Sequence, residues 1–248
     1  MSRRRARALA ALVALLGLGS GCGALCPADH GSGAGGAAPG PGGWIALFDG
    51  ASAAHWRGYR REELPRNWTL EDGALAFVPR FWCSGGDIVT REQFGSFELE
   101  LEWRISEGGN SGIFYRVVES DEHGPVWHSG LEMQVLDNAR HRDGRSEKRR
   151  AGDLYDLVAG RVDASRPVGQ WNEVRIVLDG DRLEHWLNGA RVLEAQLGTP
   201  EWDALVARSK YRKLPGFAKA RRGHIALQDH GDRVWYRNIR IRRLERAE

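Results

Sequence analysis

An all-β sandwich of the jelly-roll kind, carrying one short helix, is the fold class this 248-residue sequence predicts. Three observations carry it. Apolar and polar residues alternate with period two over much of the chain. Turn dipeptides recur every ten residues or so, at the spacing of short strands. Only one stretch has helical character. A domain of roughly 200 residues with this pattern fits two large packed sheets. No sequence repeat and no second domain is visible.

The chain does not begin with fold. "MSRRRARALAALVALLGLGSGC" places Arg3, Arg4, Arg5 and Arg7 before an apolar run from Ala8 to Leu18, then small residues up to Cys22. Residues 1–21 therefore read as a signal peptide, too short for a membrane-spanning helix. Its ending resembles a bacterial lipoprotein signal, in which Cys22 becomes the acylated first residue, although Gly19 stands where Leu is usual. Ordinary secretion with cleavage nearby is the alternative. Either route takes the mature protein out of the cytoplasm, to the periplasm or outer surface, with the membrane engaged only through a lipid on Cys22.

Residues 22–43 are Gly, Ala, Pro and Ser with little else, a flexible tether that cannot bury enough apolar area to fold. Four Arg and no acids precede Cys22, so removing the leader lowers the formal net charge from +3 to −1. Nothing global then argues for a nucleic-acid partner, and the run Lys148-Arg149-Arg150 reads as a solvated loop. An oxidising compartment permits a disulfide between Cys26 and Cys83 without establishing one. No Cys pair has zinc-ligand spacing within a compact motif.

The folded domain spans residues 44–246. "FELELEWRI" sets Phe97, Leu99, Leu101, Trp103 and Ile105 on one face and Glu98, Glu100, Glu102 and Arg104 on the other, the signature of a half-buried antiparallel strand. "NEVRIVLDGDRLEHWLNGARVLEA" reads as strands broken at Asp179-Gly180 and Asn188-Gly189, dipeptides suited to turns with positive φ. Further strands are expected near 68–78, 86–90, 111–118, 131–137, 224–229 and 234–243. "PEWDALVARSKYRKL" is the helix, with Pro200 and Glu201 placed for its start.

Period two also gathers polar side chains. In "LEMQVLDN", Leu131, Met133 and Val135 point one way, Glu132 and Gln134 the other. In "HIALQDH", Ile225 and Leu227 share a face, with His224, Gln228 and His230 opposite. With the apolar sides packed inward, Glu132, Gln134, Gln228 and His230 emerge together on an outer sheet face. Asp137 and Asp229 stand near strand ends. Amides and carboxylates suit sugar hydroxyls, and Glu132 or His230 can move a proton if suitably tuned. "GGNSGIFYR" adds Asn110 and Ser111 at a glycine-rich crest. Solvated surface polarity is the plain alternative for each residue. Ten Trp is high for this length; indoles suit sugars, though most are expected in the core.

The ordered segments "GGWIALFDG", "FGSFELELEWRISEGGNSGIFYR", "GLEMQVLDNARH", "AGDLYDL", "VGQWNEVRIVLDGDRLEHWLNG" and "GHIALQDHGDRVWYRNIRIRRL" resemble the 3-keto-disaccharide hydrolase family, formerly a domain of unknown function. The resemblance runs from about Gly43 to Leu244. It implies a concanavalin-like jelly roll and an exported enzyme that cleaves glycosides already oxidised at C3 by a separate glycoside 3-dehydrogenase. A C3 ketone acidifies the C2 proton; a base removes it and the C1 substituent leaves by β-elimination, followed in some members by hydration. The resemblance implies site residues at Asn110, Ser111, Arg116, Glu132, Gln134, Asp137, Tyr155, Gln228, Asp229 and His230. His230 is the expected base, with Glu132 as its rival and Asp229 beside it. Asn110, Ser111, Arg116, Gln134, Tyr155 and Gln228 are expected to bind substrate. Asp137 and Glu132 are candidates for a divalent metal; no cofactor is otherwise implied. His128 and His141 are further candidates. Leu131 departs from the family pattern, and the 138–151 loop is unusually Arg-rich. A non-catalytic carbohydrate-binding jelly roll, or an exported scaffold, is the competing reading.

Overall fold

The computed structural model describes residues 43–80 and 85–244. The leader, the tether with Cys22 and Cys26, and Cys83 lie outside those residues.

Among the described residues the strands run β1 (Trp44–Phe48), β2 (Trp56–Gly58), β3 (Trp68–Glu71), β4 (Ala74–Phe77), β5 (Ile88–Thr90), β6 (Phe97–Ile105) and β7 (Asn110–Val117). They continue with β8 (Leu131–Leu136), β9 (Asn172–Asp179), β10 (Arg182–Leu187), β11 (Ala190–Gln196), β12 (His224–Leu227) and β13 (Val234–Arg243). One helix, α1, spans Pro200–Arg208. The larger sheet has the order β11-β10-β9-β6-β13-β4-β3, with β1 also on β13. The smaller has the order β2-β5-β12-β7-β8. All strand pairs are antiparallel, and the sandwich expected from the sequence is present.

The pleat of β6 shows why the sheets stack. Phe97, Leu99, Leu101, Trp103 and Ile105 are buried in the core between the sheets. Each such large side chain contributes roughly 1.5–3 kcal/mol by leaving water. On the opposite face, Glu98 meets Arg175 and Arg242, Glu100 meets Arg240, and Glu102 meets Arg237. Cross-strand pairing of this kind closes the outer side of the larger sheet. Trp44, Trp171 and Trp186 lie under arginines of that ladder, and Trp235 lies under Arg104. Trp56, Trp68, Trp103 and Trp202 are buried. Of the described indoles, that leaves Trp127.

Turn chemistry corrects two expectations. The stretch read as one strand over 68–78 is a hairpin, because Asp72 and Gly73 both take positive φ, at 49° and 72°. At the β9–β10 turn Gly180 alone does so, with φ 58°, and Asp181 is the second turn residue. Asn188-Gly189 takes positive φ at both positions, as its sequence demands.

The helix is shorter than its pattern. Thr199 caps its start, accepting a hydrogen bond from Trp202 N, and Pro200 opens the first turn. It stops at Arg208 because Ser209 is extended, and a 3-10 turn follows over Lys210–Lys213. The Ser209 hydroxyl donates to Val206 O and accepts from Tyr211 N, so it closes one turn and opens the next. That break takes Lys210 out of helical register.

Candidate active site

One face of the smaller sheet meets the larger sheet; loops cover the other. Ile88, Ile113, Met133, Ile225 and Leu227 belong to the core between the sheets. Their strand neighbours Val89, Phe114 and Ala226 form a separate apolar cluster with Val117 and Val126. Alternation then fixes what else lies on this second face. Asp87 precedes Val89 by one pleat, Asn110 and Gly112 precede Phe114, and Gln228 follows Ala226. On β8 the pair is Glu132 and Gln134. Gly112 is paired with Gln134 and Phe114 with Glu132. Ala226 lies between Val89 and Phe114.

The sequence placed Glu132 and Gln134 on an outer, solvated face. They are on that face but buried, with Glu132 5 % and Gln134 1 % exposed. The covering segments explain this. The backbone around Tyr155 pairs along the free edge of β8, with Tyr155 N donating to Glu132 O, and Trp127 packs against the apolar cluster. Lys210 Nζ sits 4.0 Å from the Tyr155 ring centroid, 4.9 Å from Tyr211 and 5.5 Å from Trp127.

Glu132 is the centre of this floor. Burial, followed by the Asp87 and Asp143 charges, pushes its carboxyl up to about 8, while Lys210 acts in the opposite direction. No hydrogen bond contributes to that shift. Its Oε1 lies over Gly112, where an added Cβ would stand only 2.5 Å away. Around it are buried amide atoms without partners: Gln134 Nε2, Gln228 Oε1 and Asn110 Oδ1. Unpaired buried polar atoms are costly, and a cluster of them marks a place for a polar ligand. Burial lowers the Lys210 pKa, against the raising effect of Glu132.

His230 stands at the rim of the same face, with its side chain 43 % exposed. Its Nε2 is 3.5 Å from Asn110 Nδ2, and its Nδ1 is 4.0 Å from Asp232 Oδ2. The His141 ring is 6.3 Å away. Tyr155 forms a wall: its hydroxyl donates to Asp143 Oδ2 at 2.8 Å, and burial raises its pKa well above the usual phenol range.

Other expected site residues have different partners. Ser111 faces the core, bonded to Gln228 O and the Tyr236 hydroxyl at 2.7 and 2.8 Å. Arg116 occupies a bulge with φ 58° and reaches Gly180 O and Asp181 across the sandwich edge. The Asp229 carboxylate accepts from Gly86 N at 2.7 Å and Gly231 N at 2.9 Å, and so holds two loops. Asp137 accepts from Gly108, Ala139 and Arg140 backbone N–H groups. Among the described residues no three His, Cys, Asp or Glu side chains form a metal-holding group, so Asp137 and Glu132 make no such set. His128 accepts from Gly124 N beside Trp127. A cleft of about 730 Å³ opens elsewhere, lined by Trp103, Asp137 and Arg166 among others, and Glu132 is not part of it.

Asp87, Trp127, Asp143 and Lys210 escaped the sequence reading. The one local signal was Ser209, a capping residue immediately before Lys210-Tyr211.

A jelly-roll sandwich with a buried, poised acid among unpaired amides belongs with the sandwich enzymes that handle carbohydrates. Residues 43–242 match the family described as the 3-keto-alpha-glucoside-1,2-lyase-like domain, and the chain belongs to it. It is similar to the 3-keto-disaccharide hydrolase of Bacteroides thetaiotaomicron, with 38 % identity over 229 residues, 82 % of this chain and 79 % of that one. Among solved structures, a candidate glycosyl hydrolase of Parabacteroides distasonis superposes with a TM-score of 0.75 at 25 % identity, over 82 % of this chain and 94 % of that one. A galectin-like protein of Bacillus subtilis shares the fold, with a TM-score of 0.50 at 12 % identity over 76 % of this chain and 88 % of the other.

Proposed function

We propose that this protein cleaves 3-keto-glycosides by removing the C2 proton and expelling the C1 substituent, with Glu132 as the base. The observation that carries this is the placement of the Glu132 carboxyl: buried, with Oε1 perched over Gly112 on a face that holds unpaired amide atoms, and with its pKa raised to about 8 by burial. A carboxyl so raised is a strong base once it is ionised. Family membership and the Bacteroides thetaiotaomicron relative supply the substrate class. Lys210 is the cation that favours negative charge as the enolate forms at the C3 oxygen. Gln134 Nε2 is a free donor, while Asn110 Oδ1 and Gln228 Oε1 are free acceptors for sugar hydroxyls. His230 and His141, at the rim, face the water that hydrates the eliminated sugar.

The elimination needs no ionised pair of carboxylates around an oxocarbenium ion. It needs one base, one stabiliser for the enolate and a way to release the aglycone. The Arg-rich leader and Cys22 support export with a lipid anchor, and the C3 ketone implies a partner dehydrogenase that makes the substrate. The test is direct. Purified protein incubated in D2O with a 3-keto-glucoside exchanges deuterium into C2 and frees the aglycone, and Glu132→Gln does neither. A Glu132→Gln protein that exchanges at the wild-type rate removes Glu132 as base and returns the role to His230.

A further inference from the structure

We propose that Asp87 is a second catalytic carboxyl, the acid that protonates the departing C1 oxygen from the side of the sugar opposite Glu132. This rests on the reading of Glu132 as the base.

Placement carries the proposal. Asp87 shares the floor face with Val89, and the pairing of Ile88 with Leu227 puts it beside Gln228. Gln228 N in turn donates to Gly112 O, on the next strand. The Glu132 carboxyl lies directly over Gly112. Two strand spacings therefore separate the two acids, on the order of 10 Å. The side chain between them is Gln228, with its unpartnered buried Oε1. That spacing is comparable to the separation of roughly 6.5–9.5 Å at which carboxyls serve opposite faces of a sugar in inverting glycosidases. In a chair with an axial C1 substituent, the axial C2 hydrogen points to the other face. Base and acid must then flank the ring.

Asp87 is also free to act. Its Oδ1 accepts from Asp229 N at 2.9 Å. That is the sole hydrogen bond bearing on its charge. Burial, reinforced by the Asp229 charge, raises it to about 7, so a large share carries a proton at neutrality. Asp229 cannot substitute for it, because Gly86 and Gly231 hold both of its oxygens.

The step balances. The Glu132 carboxylate takes the C2 proton, and the C–H pair becomes the C2=C3 bond of the enolate. That pair then forms C1=C2 while C3=O is restored. The C1–O bond breaks toward oxygen, which takes the Asp87 proton. Glu132 ends protonated and Asp87 ionised, and water carries one proton between them to reset the site.

Asp87→Asn keeps the acceptor for Asp229 N, so it tests the proton alone. Its rates are measured on 3-keto-glucosides whose leaving groups run from an acidic phenol to an alkyl alcohol. Alkyl glycosides are expected to slow by about 100-fold or more. The acidic phenol needs no proton and should stay within about 3-fold, on the same Brønsted reasoning. Deuterium exchange at C2 should persist. An equal loss on every leaving group, or loss of C2 exchange with them, overturns the proposal. Wild-type protein that neither exchanges C2 nor cleaves any substrate of the series overturns the Glu132 reading and this proposal with it.

Discussion

Gly112→Ala is the substitution whose effect can be worked most closely from the geometry. A methyl carbon at this position would lie 2.5 Å from Glu132 Oε1 and 2.8 Å from Phe114 Cε2. Ordinary contact begins near 3.4 Å, so the carboxyl must retreat by about 0.9 Å. Phe114 is fully buried and has little freedom to give way. A base displaced by about 1 Å loses on the order of 100-fold in rate. That corresponds to about 2.7 kcal/mol in the barrier. The assay is kcat and KM on a 3-keto-glucoside, with a thermal melt as the control for folding. The loss should fall on kcat, because the amides that hold hydroxyls are not displaced. A folded Gly112→Ala protein with kcat within about 3-fold of wild type would refute the view that Glu132 works from its perch over the sheet.

Three further outcomes follow from the charges. Since Glu132 must be ionised to act and its pKa is raised to about 8, kcat/KM on the acidic-phenol 3-keto-glucoside, which needs no proton from Asp87, should climb with pH through a midpoint near 8. Lys210 favours the ionised form, so Lys210→Met should move that midpoint further alkaline; an unmoved midpoint contradicts their coupling. His185 lies in the core, bonded to the Tyr115 hydroxyl and Gly152 O, and burial lowers its pKa to about 4 from 6.5. The unfolded chain therefore takes a proton that the folded one refuses. Stability is unaffected above pH 6.5 and declines as pH falls toward 4, by about 3 kcal/mol. Urea titrations should show the advantage of wild type over His185→Gln shrinking across that interval, and a constant gap would exclude this origin.

The strands were legible because β6 and β8 keep strict alternation, and alternation alone assigned Glu132 and Gln134 to one face. Their burial was not legible. It depends on the 3-10 turn after Ser209 and on the side chains of Trp127 and Tyr155 that meet Lys210, all supplied by loops, which have no period. Arg116 shows the limit of alternation itself. Its bulge inserts one residue, so the guanidinium leaves by the edge toward Asp181 instead of joining the floor. Ser111 lies where alternation puts it, opposite Val135 and facing inward, and the glycine-rich stretch around it suggested an exposed crest. Asp87 was missed because a three-residue strand with two buried faces offers no pattern to read. Lys210 was hidden inside a helix pattern that Ser209 ends early.

The Glu132 carboxyl is anchored by strand register, whereas the Lys210 ammonium arrives on a 3-10 turn that pairs with no strand among the described residues. The two halves of the chemistry are thus inherited separately. Substitutions in the covering segments can re-cut the chamber around the departing group while every backbone pairing beneath stays intact. One scaffold can in this way acquire new aglycones by remodelling its ceiling and leave its reaction untouched.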